Sequence, residues 1–498
     1  MTEHVDVLII GAGLSGIGAA HHLQSAFPRR TYAILEARDA IGGTWDLFRY
    51  PGVRSDSDMH TLGYRFRPWT QANAIADGPS ILSYIRDTAA DAGIDRHIRF
   101  GHRVVRASWS DSRWTVESVH NGQTVPLTAD FLLVCSGYYR YDTGHSPEFP
   151  GIERYAGTVV HPQQWPEDLD HAGKKVVVIG SGATAVTLVP AMAERAAHVT
   201  MLQRSPTYIL SLPREDALAN RLRRLVGTRR AYPVVRWKNV VMQTVLYKLS
   251  RRRPDAVRSL IRNATIRQLP PGYDVDTHFK PRYQPWDQRL CFVPDGDLFR
   301  AIRRGTASVV SDRIVEFTEQ GLRLESGAAL EADIVVTATG LRLLAFGGIR
   351  TAVDGREVDL PETMAYKGMM LSGVPNFAFT IGYTNASWTL KADLVSEYVV
   401  RLLRHMDERG HAVCVPENND PTIMPRPLLD FDAGYVRRSI DEFPRAGSRP
   451  PWRLGMSYVH DLVTLRHRPI EDGILRFSRS TAAALSRPAP AAGSGPGR

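Results

Sequence analysis

Two short glycine-rich segments have the composition and spacing of turns that hold the pyrophosphate of a dinucleotide. Glycine permits a tight turn and lets backbone N–H groups approach a phosphate at the N-terminus of the helix that follows. The first segment contains Gly11, Gly13, Ser15 and Gly16, and the second contains Gly180, Ser181, Gly182, Ala183, Thr184, Ala185 and Val186. Two such turns in one chain suggest that two nucleotides are brought together in one reaction.

The strand after each turn indicates which nucleotide that turn binds. After the first turn, the apolar run 32–35 ends at Glu36, at the spacing where a carboxylate accepts hydrogen bonds from ribose hydroxyls. An acid here implies a free 2′-hydroxyl, so FAD or NAD is predicted. After the second turn, the run 199–202 leads instead to Arg204 and Ser205. A guanidinium suits a 2′-phosphate, which predicts NADP(H); a solvated surface arginine is the alternative.

A second glycine pair, Gly42 and Gly43, follows soon after the ribose acid. It suggests another close approach of the backbone to the first cofactor, and an ordinary surface loop is the alternative. The candidate contact residues that come after this pair are Thr44, Trp45, Asp46, Leu47, Arg54, Ser55 and Asp56.

Short apolar strands surround both turns and set the domain organisation. The runs 5–10 and 175–179, which lead into the turns, have the pattern of parallel strands buried on both faces. A similar run at 333–337 ends in Ala338, Thr339 and Gly340, which is typical of a return to the first domain. We therefore predict an α/β fold with two Rossmann-like dinucleotide-binding domains, the first split by insertion of the second.

The predicted boundaries follow from this arrangement. The FAD-binding domain comprises 1–141 and 330–479, and the NADPH-binding domain comprises 142–212 and 286–329. Residues 213–285 form a basic helical insertion. The tail 480–498, rich in Ala, Pro, Ser and Gly, is predicted to be disordered.

Composition restricts the class of protein. Hydrophobic residues make up 43% of the 498 positions and charged residues 23%, as in soluble globular proteins. No apolar run approaches the roughly 20 residues that a membrane span needs, and the N-terminus lacks the basic start of a signal peptide. The three cysteines form no Cys-x-x-Cys pair, which argues against a disulfide framework, a zinc site or a dithiol redox centre. A cytoplasmic protein without a metal site is expected.

Positive charge is concentrated in one part of the chain. Of the net charge of +10, the segment 214–267 contributes +12, from 15 basic and 3 acidic residues, and the remainder carries −2. Leucine and valine spacing predicts amphipathic helices here. A solvated cap on the core, contact with an anionic membrane surface and nucleic-acid binding are the alternatives. Nucleic acid is the least favoured, because no recognition fold accompanies the charge.

A segment between the two turns carries a resemblance to a known family. Tyr155, Gly157, His161, Trp165 and Pro166 follow the Baeyer–Villiger fingerprint Phe-x-Gly-x-x-x-His-x-x-x-Trp-Pro/Asp, with Tyr155 in place of Phe. With the glycine turns on either side, the chain resembles the class B flavoprotein monooxygenases. Trp165 is typical of the Baeyer–Villiger branch, since the branch that oxygenates N and S usually has Tyr or Phe there.

The resemblance implies a reaction and its partners. NADPH would reduce bound FAD, and the flavin would react with O2 to give a C4a-peroxyflavin that converts ketones to esters or lactones. The implied substrates are small lipophilic ketones and sulfur compounds, with no nucleic-acid partner. One alternative is an NADPH oxidase or an N/S-oxygenating enzyme without ketone activity. Another is a flavoprotein whose segment 213–268 binds the membrane periphery.

The resemblance also implies roles for individual residues. Arg289 matches the catalytic arginine of the family, and Asp56 matches the acid that pairs with it. Gln288 replaces the lysine that often helps to bind the 2′-phosphate, so Arg204 and Ser205 would carry more of the NADPH selectivity. The fingerprint residues are expected to support domain movement. The FAD contacts are Asp56, Val104 and the residues named above from 11 to 47; the NADPH contacts are Arg54, Ser55 and the residues named from 180 to 205.

Overall fold

A buried sheet forms the centre of the first domain. The computed structural model describes residues 2–288, 290–429, 431 and 433–479. Leu8 and Ile9 of the first strand have no exposed surface, because both faces of the sheet are covered. The N-terminal elements are β1 (His4–Ile10), α1 (Leu14–Ala26), β2 (Tyr32–Leu35), α2 (Thr44–Leu47), α3 (Met59–Leu62), α4 (Gly78–Asp91), β3 (Ile98–Arg99), β4 (Arg103–Ser110), β5 (Arg113–His120) and β6 (Gln123–Val134).

The strand order places the first glycine turn at the carboxyl edge of this sheet. Strand β1 runs parallel to β2 on one side and to β6 on the other. Strands β4, β5 and β6 form an antiparallel excursion that returns to the main sheet. The turn after β1 therefore lies between two neighbouring parallel strands, where open α/β sheets bind their ligands.

The second domain begins with a short strand and its own glycine turn. Val176, Val177 and Val178 are almost fully buried in its central strand. The elements before the insertion are β7 (Thr158–Val160), β8 (Lys175–Ile179), α5 (Ala183–Met192), β9 (His198–Gln203) and β10 (Ile209–Leu212).

The basic insertion consists of helices, as expected from its leucine and valine spacing. They are α6 (Ala217–Val226), α7 (Thr228–Arg252), α8 (Pro254–Ile266) and α9 (Val275–His278). Helix α7 is the longest and packs against α3 of the first domain. Among the residues that the structure describes, none of the helices combines the length and apolarity needed to cross a bilayer.

The rest of the second domain completes a parallel sheet, and it corrects one predicted boundary. The elements are β11 (Cys291–Pro294), α10 (Asp297–Arg303), β12 (Ala307–Ser311), β13 (Ile314–Thr318), β14 (Gly321–Leu324), β15 (Ala329–Glu331) and β16 (Ile334–Thr337). The sheet order is β12-β9-β8-β16-β7. Strand β16 pairs with β8 and β7, so it is part of the second domain. The predicted boundary at 330 is therefore wrong, and the chain returns to the first domain after Thr337.

The C-terminal part of the chain completes the first domain. Its elements are β17 (Arg350–Val353), β18 (Arg356–Glu357), β19 (Ala365–Tyr366), β20 (Met370–Leu371), β21 (Phe377–Phe379), α11 (Trp388–Arg409), β22 (Val413–Pro416), β23 (Pro425–Pro427), α12 (Gly434–Arg437), β24 (Arg445–Gly447), α13 (Tyr458–Asp461) and β25 (Leu475–Ser478). Strand β17 joins β4, β21 joins β6, and α11 packs against α1. The tail predicted to be disordered, 480–498, lies outside the described residues.

Candidate active site

One cleft of about 1770 Å³ lies between the two domains and is bordered by both glycine turns. It is the place where the carboxyl edges of the two parallel sheets meet. Of the residues predicted to bind cofactors, those that line it are Gly11, Gly13, Ser15, Glu36, Thr44, Trp45, Arg54, Ser55, Asp56, Val104, Gly180, Ser181, Gly182, Ala183, Thr184, Arg204 and Ser205. The two predicted nucleotide sites are thus parts of one continuous cleft.

Close backbone packing explains the glycines of the first turn. A Cβ added at Gly16 would lie 1.8 Å from the carbonyl oxygen of Gly11, and one added at Gly11 would lie 2.7 Å from that of Cys135. A Cβ at Gly43 would come 3.2 Å from the Cα of Gly13. The second glycine pair therefore packs directly on the first turn, and Gly13 itself lines the cleft.

Glu36 is held at the end of β2 by backbone N–H groups. Its Oε2 accepts a hydrogen bond from the N–H of Ala12 at 2.7 Å, and its Oε1 accepts one from the N–H of Arg38 at 2.9 Å. Burial raises the pKa of the carboxyl, and these two bonds oppose that effect. Each oxygen retains a lone pair that can accept a hydrogen bond from a hydroxyl group. The side chain fits the ribose-binding role that the sequence predicts.

Asp46 connects the loop that contains Gly42 and Gly43 to the end of β2. Its carboxylate is almost fully buried and forms ion pairs with Arg38 at 2.5 Å and Arg86 at 3.0 Å. Arg38 follows Glu36 by two residues, so these pairs tie the glycine-pair loop to the end of β2. Buried carboxylates require such partners. Asp46 therefore supports the cleft wall and does not line it.

The second turn is tied to the segment that carries Arg204. The hydroxyl of Ser181 lies 3.0 Å from the carbonyl oxygen of Ser205 and 2.8 Å from Oγ1 of Thr207. Helix α5 starts directly after Gly182, so its N-terminal N–H groups are at the cleft, where a phosphate would be favoured. Arg204 is exposed at the cleft margin and has no ion-pair partner among the described residues. These features fit a nucleotide with a 2′-phosphate.

Five residues predicted to bind cofactors do not line the cleft: Gly16, Asp46, Leu47, Ala185 and Val186. Ala185 and Val186 are buried in the core of the second domain, because they lie on the sheet-facing side of α5. Gly16 is needed for the close packing of α1 on the turn. The sequence pattern identified helix α1 but did not distinguish, in any of these segments, the residues that face the core from those that line the cleft.

The segment 50–56 connects the first domain to the second. Tyr50 is buried among core residues of the second domain. Arg54 forms a two-pronged ion pair with Asp297 at the start of α10. Asp56 lines the cleft next to these contacts. Arg289, its predicted partner, lies outside the described residues, whereas Gln288 lines the cleft.

An aromatic wall of the cleft was missed by the sequence reasoning. Tyr138 packs on Tyr139 with ring centroids 4.6 Å apart and on Trp388 at 5.1 Å. Nε1 of Trp388 donates a hydrogen bond to Oγ of Ser15 at 2.7 Å, which links the start of α11 to the first turn. Tyr435 lines the same cleft. The sequence signal for this wall is the Tyr-Tyr pair that begins four residues after the end of buried strand β6, near the first turn.

Comparison with known proteins agrees with this geometry. Residues 73–370 match the model of the flavin-binding monooxygenase-like family, and residues 9–75 match an NAD(P)-binding Rossmann-like domain. The FAD-containing monooxygenase EthA of Mycobacterium tuberculosis (strain ATCC 25618 / H37Rv) is 57% identical over 493 residues, which cover 98% of this chain and 99% of that protein. The chain belongs to the flavin-binding monooxygenases.

A further relative is similar in sequence, and two solved structures share the fold. EthA of Mycolicibacterium smegmatis is 55% identical over 97% of this chain and 99% of its own length. An open structure of cyclohexanone monooxygenase superposes with a TM-score of 0.72 at 21% identity, covering 83% of this chain and 90% of that one. A steroid monooxygenase bound to NADP superposes with a TM-score of 0.70 at 24% identity, covering 83% of this chain and 87% of that one. The predicted family and the predicted fold class are confirmed.

In this flavin-binding monooxygenase the fingerprint residues lie beside the cleft and not in it. The hydroxyl of Tyr155 donates to the carbonyl of Ala332 at 2.8 Å, and a Cβ at Gly157 would lie 2.6 Å from the carbonyl oxygen of Asp333. Burial lowers the pKa of His161. Trp165 packs against the core of the second domain, and the fingerprint ends at Pro166.

The two chain segments that link the domains are hydrogen-bonded to one another. The N–H of Arg140 donates to the carbonyl of Arg342 at 2.9 Å, and that of His145 donates to Gly340 at 3.0 Å. Nε2 of Gln163, within the fingerprint, donates to the carbonyl of Arg140 at 2.7 Å. The fingerprint thus contacts the linkers, which fits the predicted role in domain movement.

Proposed function

We propose that this flavin-binding monooxygenase is an FAD- and NADPH-dependent Baeyer–Villiger enzyme that converts small lipophilic ketones to esters or lactones and also oxygenates sulfur compounds. The observation that carries the proposal is the single cleft that joins a ribose-binding carboxylate, Glu36, to a phosphate-binding guanidinium, Arg204. The fingerprint with Trp165 assigns the chain to the Baeyer–Villiger branch.

The residues of the cleft fit both cofactors. The turn at Gly11–Gly13 and the N-terminus of α1, which border the cleft, would hold the pyrophosphate of FAD, and Glu36 would accept hydrogen bonds from its ribose. The N-terminus of α5 would hold the pyrophosphate of NADPH, and Arg204 with Ser205 would bind its 2′-phosphate. When bound, the cofactors supply the hydride and the flavin that activates O2.

The chemistry requires a permanent positive charge in a site from which water is excluded. By the resemblance, Arg289 provides that charge, because a guanidinium stays protonated at every working pH. Asp56 lines the cleft, and by the same resemblance it would orient this arginine. The aromatic wall formed by Tyr138, Tyr139 and Trp388 excludes water and accepts a lipophilic substrate.

A ketone panel assayed with ¹⁸O2 and mass spectrometry tests the proposal. The purified yellow protein should consume NADPH and release an ester that carries one labelled oxygen atom. Arg289→Ala should keep flavin reduction by NADPH and lose ester formation, because the charge that stabilises the oxygenating species is removed. FAD-bound protein that oxygenates none of a broad panel of ketones and sulfides would contradict the proposal.

An NADPH oxidase, or an N/S-oxygenating enzyme without ketone activity, is the competing function. The two-electron reduction of O2 to hydrogen peroxide would then match NADPH consumption in the presence of ketones. An oxygenase instead transfers one oxygen atom to the substrate and releases the other as water. Measuring peroxide and product per NADPH in the same reaction separates these functions.

Peripheral membrane contact is a second candidate property of the enzyme, supported by the outer face of α7. Val234, Trp237, Val241 and Val245 repeat at helical spacing and are 45–59% exposed. Exposed cations flank this apolar face: Arg229, Arg230, Lys248, Arg252 and Arg253. An apolar face bordered by basic residues fits an anionic bilayer surface.

Vesicle sedimentation tests the membrane contact. The enzyme should sediment with vesicles of anionic lipid at low salt and remain in solution with vesicles of zwitterionic lipid, because the attraction is partly electrostatic. Trp237→Glu should abolish sedimentation without changing oxygenation in solution. Failure of the unchanged enzyme to sediment with anionic vesicles would refute this contact.

A further inference from the structure

The inner face of helix α7 contacts the segment that follows Asp56. Arg236, Asn239 and Gln243 are spaced at i, i+3 and i+7, so their side chains leave the helix on the same side. All three bond to residues between 58 and 63 of the first domain. This side is opposite the exposed apolar face of α7.

Asp58 is the point at which two of these side chains converge. Nδ2 of Asn239 donates to Oδ1 of Asp58 at 2.7 Å, and Nε2 of Gln243 donates to Oδ2 at 2.8 Å. Asp58 also caps helix α3, because its Oδ1 accepts the N–H of Thr61 at 3.0 Å. The carboxylate is therefore bound by three N–H donors from two directions.

The orientation of the two amides is set by this carboxylate. An ionised carboxylate only accepts hydrogen bonds, so the nitrogen of each amide must face it. The buried Oδ1 of Asn239 and Oε1 of Gln243 have no hydrogen-bond partner among the described residues. Both amides therefore present their nitrogen to Asp58.

Arg236 holds the other end of the same short helix. Its Nη1 donates to the carbonyl oxygens of His60 and Gly63, each at 2.8 Å, and its Nη2 lies 3.4 Å from Asp393. The side chain is only 6% exposed. Helix α3 is therefore fixed at both ends by α7.

Asp56 lies in a tight turn between two residues, Arg54 and Asp58, whose side chains are held by distant parts of the chain. On its N-terminal side, Arg54 is paired with Asp297 of the second domain. Within the turn, the hydroxyl of Ser55 donates to the carbonyl of Ser57 at 2.5 Å. On the C-terminal side, Asp58 is bound to α7. The insertion thus contacts the chain two residues away from a carboxylate that lines the cleft.

We propose that Asn239 and Gln243 are positioning residues for oxygen transfer, acting through Asp58 to set the place of the Asp56 carboxylate in the cleft. The inference rests on the proposed function, in which Asp56 orients Arg289. A misplacement of about 1 Å can reduce catalysis about 100-fold. In that proposed function Asp56 supports oxygen transfer through Arg289, so ester formation should fall more than flavin reduction does.

The test measures how the electrons of NADPH are divided between oxygenated ketone product and hydrogen peroxide. Asn239→Leu and Gln243→Met keep the side-chain size and remove the donors to Asp58. In the double variant, ketone product per NADPH should fall at least 10-fold, and hydrogen peroxide should rise to account for the lost electrons. The rate of flavin reduction should stay within about twofold of the unchanged enzyme. Gln243→Met alone should give a smaller change in the same direction if the double variant folds poorly.

Two controls separate positioning from general structural damage. Thr244→Val changes the neighbouring residue, whose hydroxyl bonds within its own helix to Val240 at 2.7 Å, and should leave the product ratio unchanged. Asn239→Asp should uncouple the enzyme in the same direction as Asn239→Leu, because it removes the donor and places two carboxylates together.

The possible failures are distinct. A folded double variant with an unchanged ratio of product to peroxide would overturn the positioning role. The same holds if flavin reduction and product formation fall in equal proportion. If the unchanged enzyme makes no oxygenated product, the proposed function fails, and this inference fails with it.

Discussion

The guanidinium of Arg54 pairs with the carboxylate of Asp297, which joins the loop before Asp56 to helix α10 of the second domain. The two side chains are 11% and 13% exposed, so the pair is largely removed from water. Sequence reasoning assigned Arg54 to NADPH binding. In the structure its charge is already matched by a partner 243 residues away in the chain.

Asp297→Asn should destabilise the enzyme, because the guanidinium of Arg54 stays buried without a matching charge. We expect a loss of about 2 kcal/mol in the free energy of unfolding, measured by chemical denaturation. Glu331→Gln is the matched control, since its pair with Lys175 is exposed, at 66% and 57% of the two side chains. Equal effects of the two changes would contradict the structural role of the Arg54 pair.

Arg204→Ala should weaken NADPH binding selectively. Loss of the charge-assisted bonds to the 2′-phosphate should raise the Kd for NADPH about 10- to 100-fold and leave that for NADH nearly unchanged. Stopped-flow measurement of flavin reduction gives both constants. Arg195→Ala, an exposed arginine on the same domain, should change neither. A parallel loss of NADPH and NADH binding would argue against phosphate recognition by Arg204.

Alanine substitutions should distinguish a structural glycine from a ligand-facing one. Gly16→Ala should prevent stable folding of the FAD site, because the new Cβ meets the carbonyl of Gly11 at 1.8 Å. Gly182→Ala should fold and retain FAD, since no described residue lies within 4 Å of its new Cβ, yet it should bind NADPH more weakly. Flavin content and NADPH titration check both. Normal NADPH affinity of the Gly182→Ala variant would contradict the binding of the NADPH pyrophosphate at this turn.

His21 should make folding stability sensitive to acid. Burial, and secondarily the neighbouring His22, lowers its pKa from 6.5 to about 4. The folded protein therefore binds this proton only at a lower pH than the unfolded chain does. Stability should therefore fall as the pH drops from 6.5 towards 4. His21→Phe, which keeps the stacking on Phe66, should make that decline shallower. Identical pH profiles of unfolding would contradict the shifted pKa.

Local patterns were enough to predict the parts of the site that are close in sequence. The run into Gly11, the helix after Gly16 and the acid at Glu36 form one continuous unit, so spacing alone identifies it. The same reasoning led to Arg204, which lines the cleft beside the second glycine turn. Helices in the basic insertion followed from leucine and valine spacing, because amphipathicity is a property of the local chain.

Contacts between distant segments could not be predicted in this way. Strand β16 is apolar and is followed by Ala-Thr-Gly, a pattern that fits either sheet. Its pairing with β8 is decided by tertiary packing. Asn239 and Gln243 have no local feature that indicates Asp58. The burial of Ala185 depends on which side of α5 faces the sheet, a rotation that a ten-residue apolar helix does not reveal.

The hydrogen-bonded linkers at 138–145 and 338–345 indicate how the chain was assembled during evolution. Because the chain leaves and re-enters the first domain at neighbouring points, the host sheet needs no rearrangement to accept everything between them. A whole nucleotide-binding module, with the helical insertion inside it, could thus have been gained in one genetic event. Residues 146–337 should accordingly be exchangeable between relatives as a cassette, provided that the contacts of Tyr50, Arg54 and Asp58 and those of Arg236 with helix α3 are carried along.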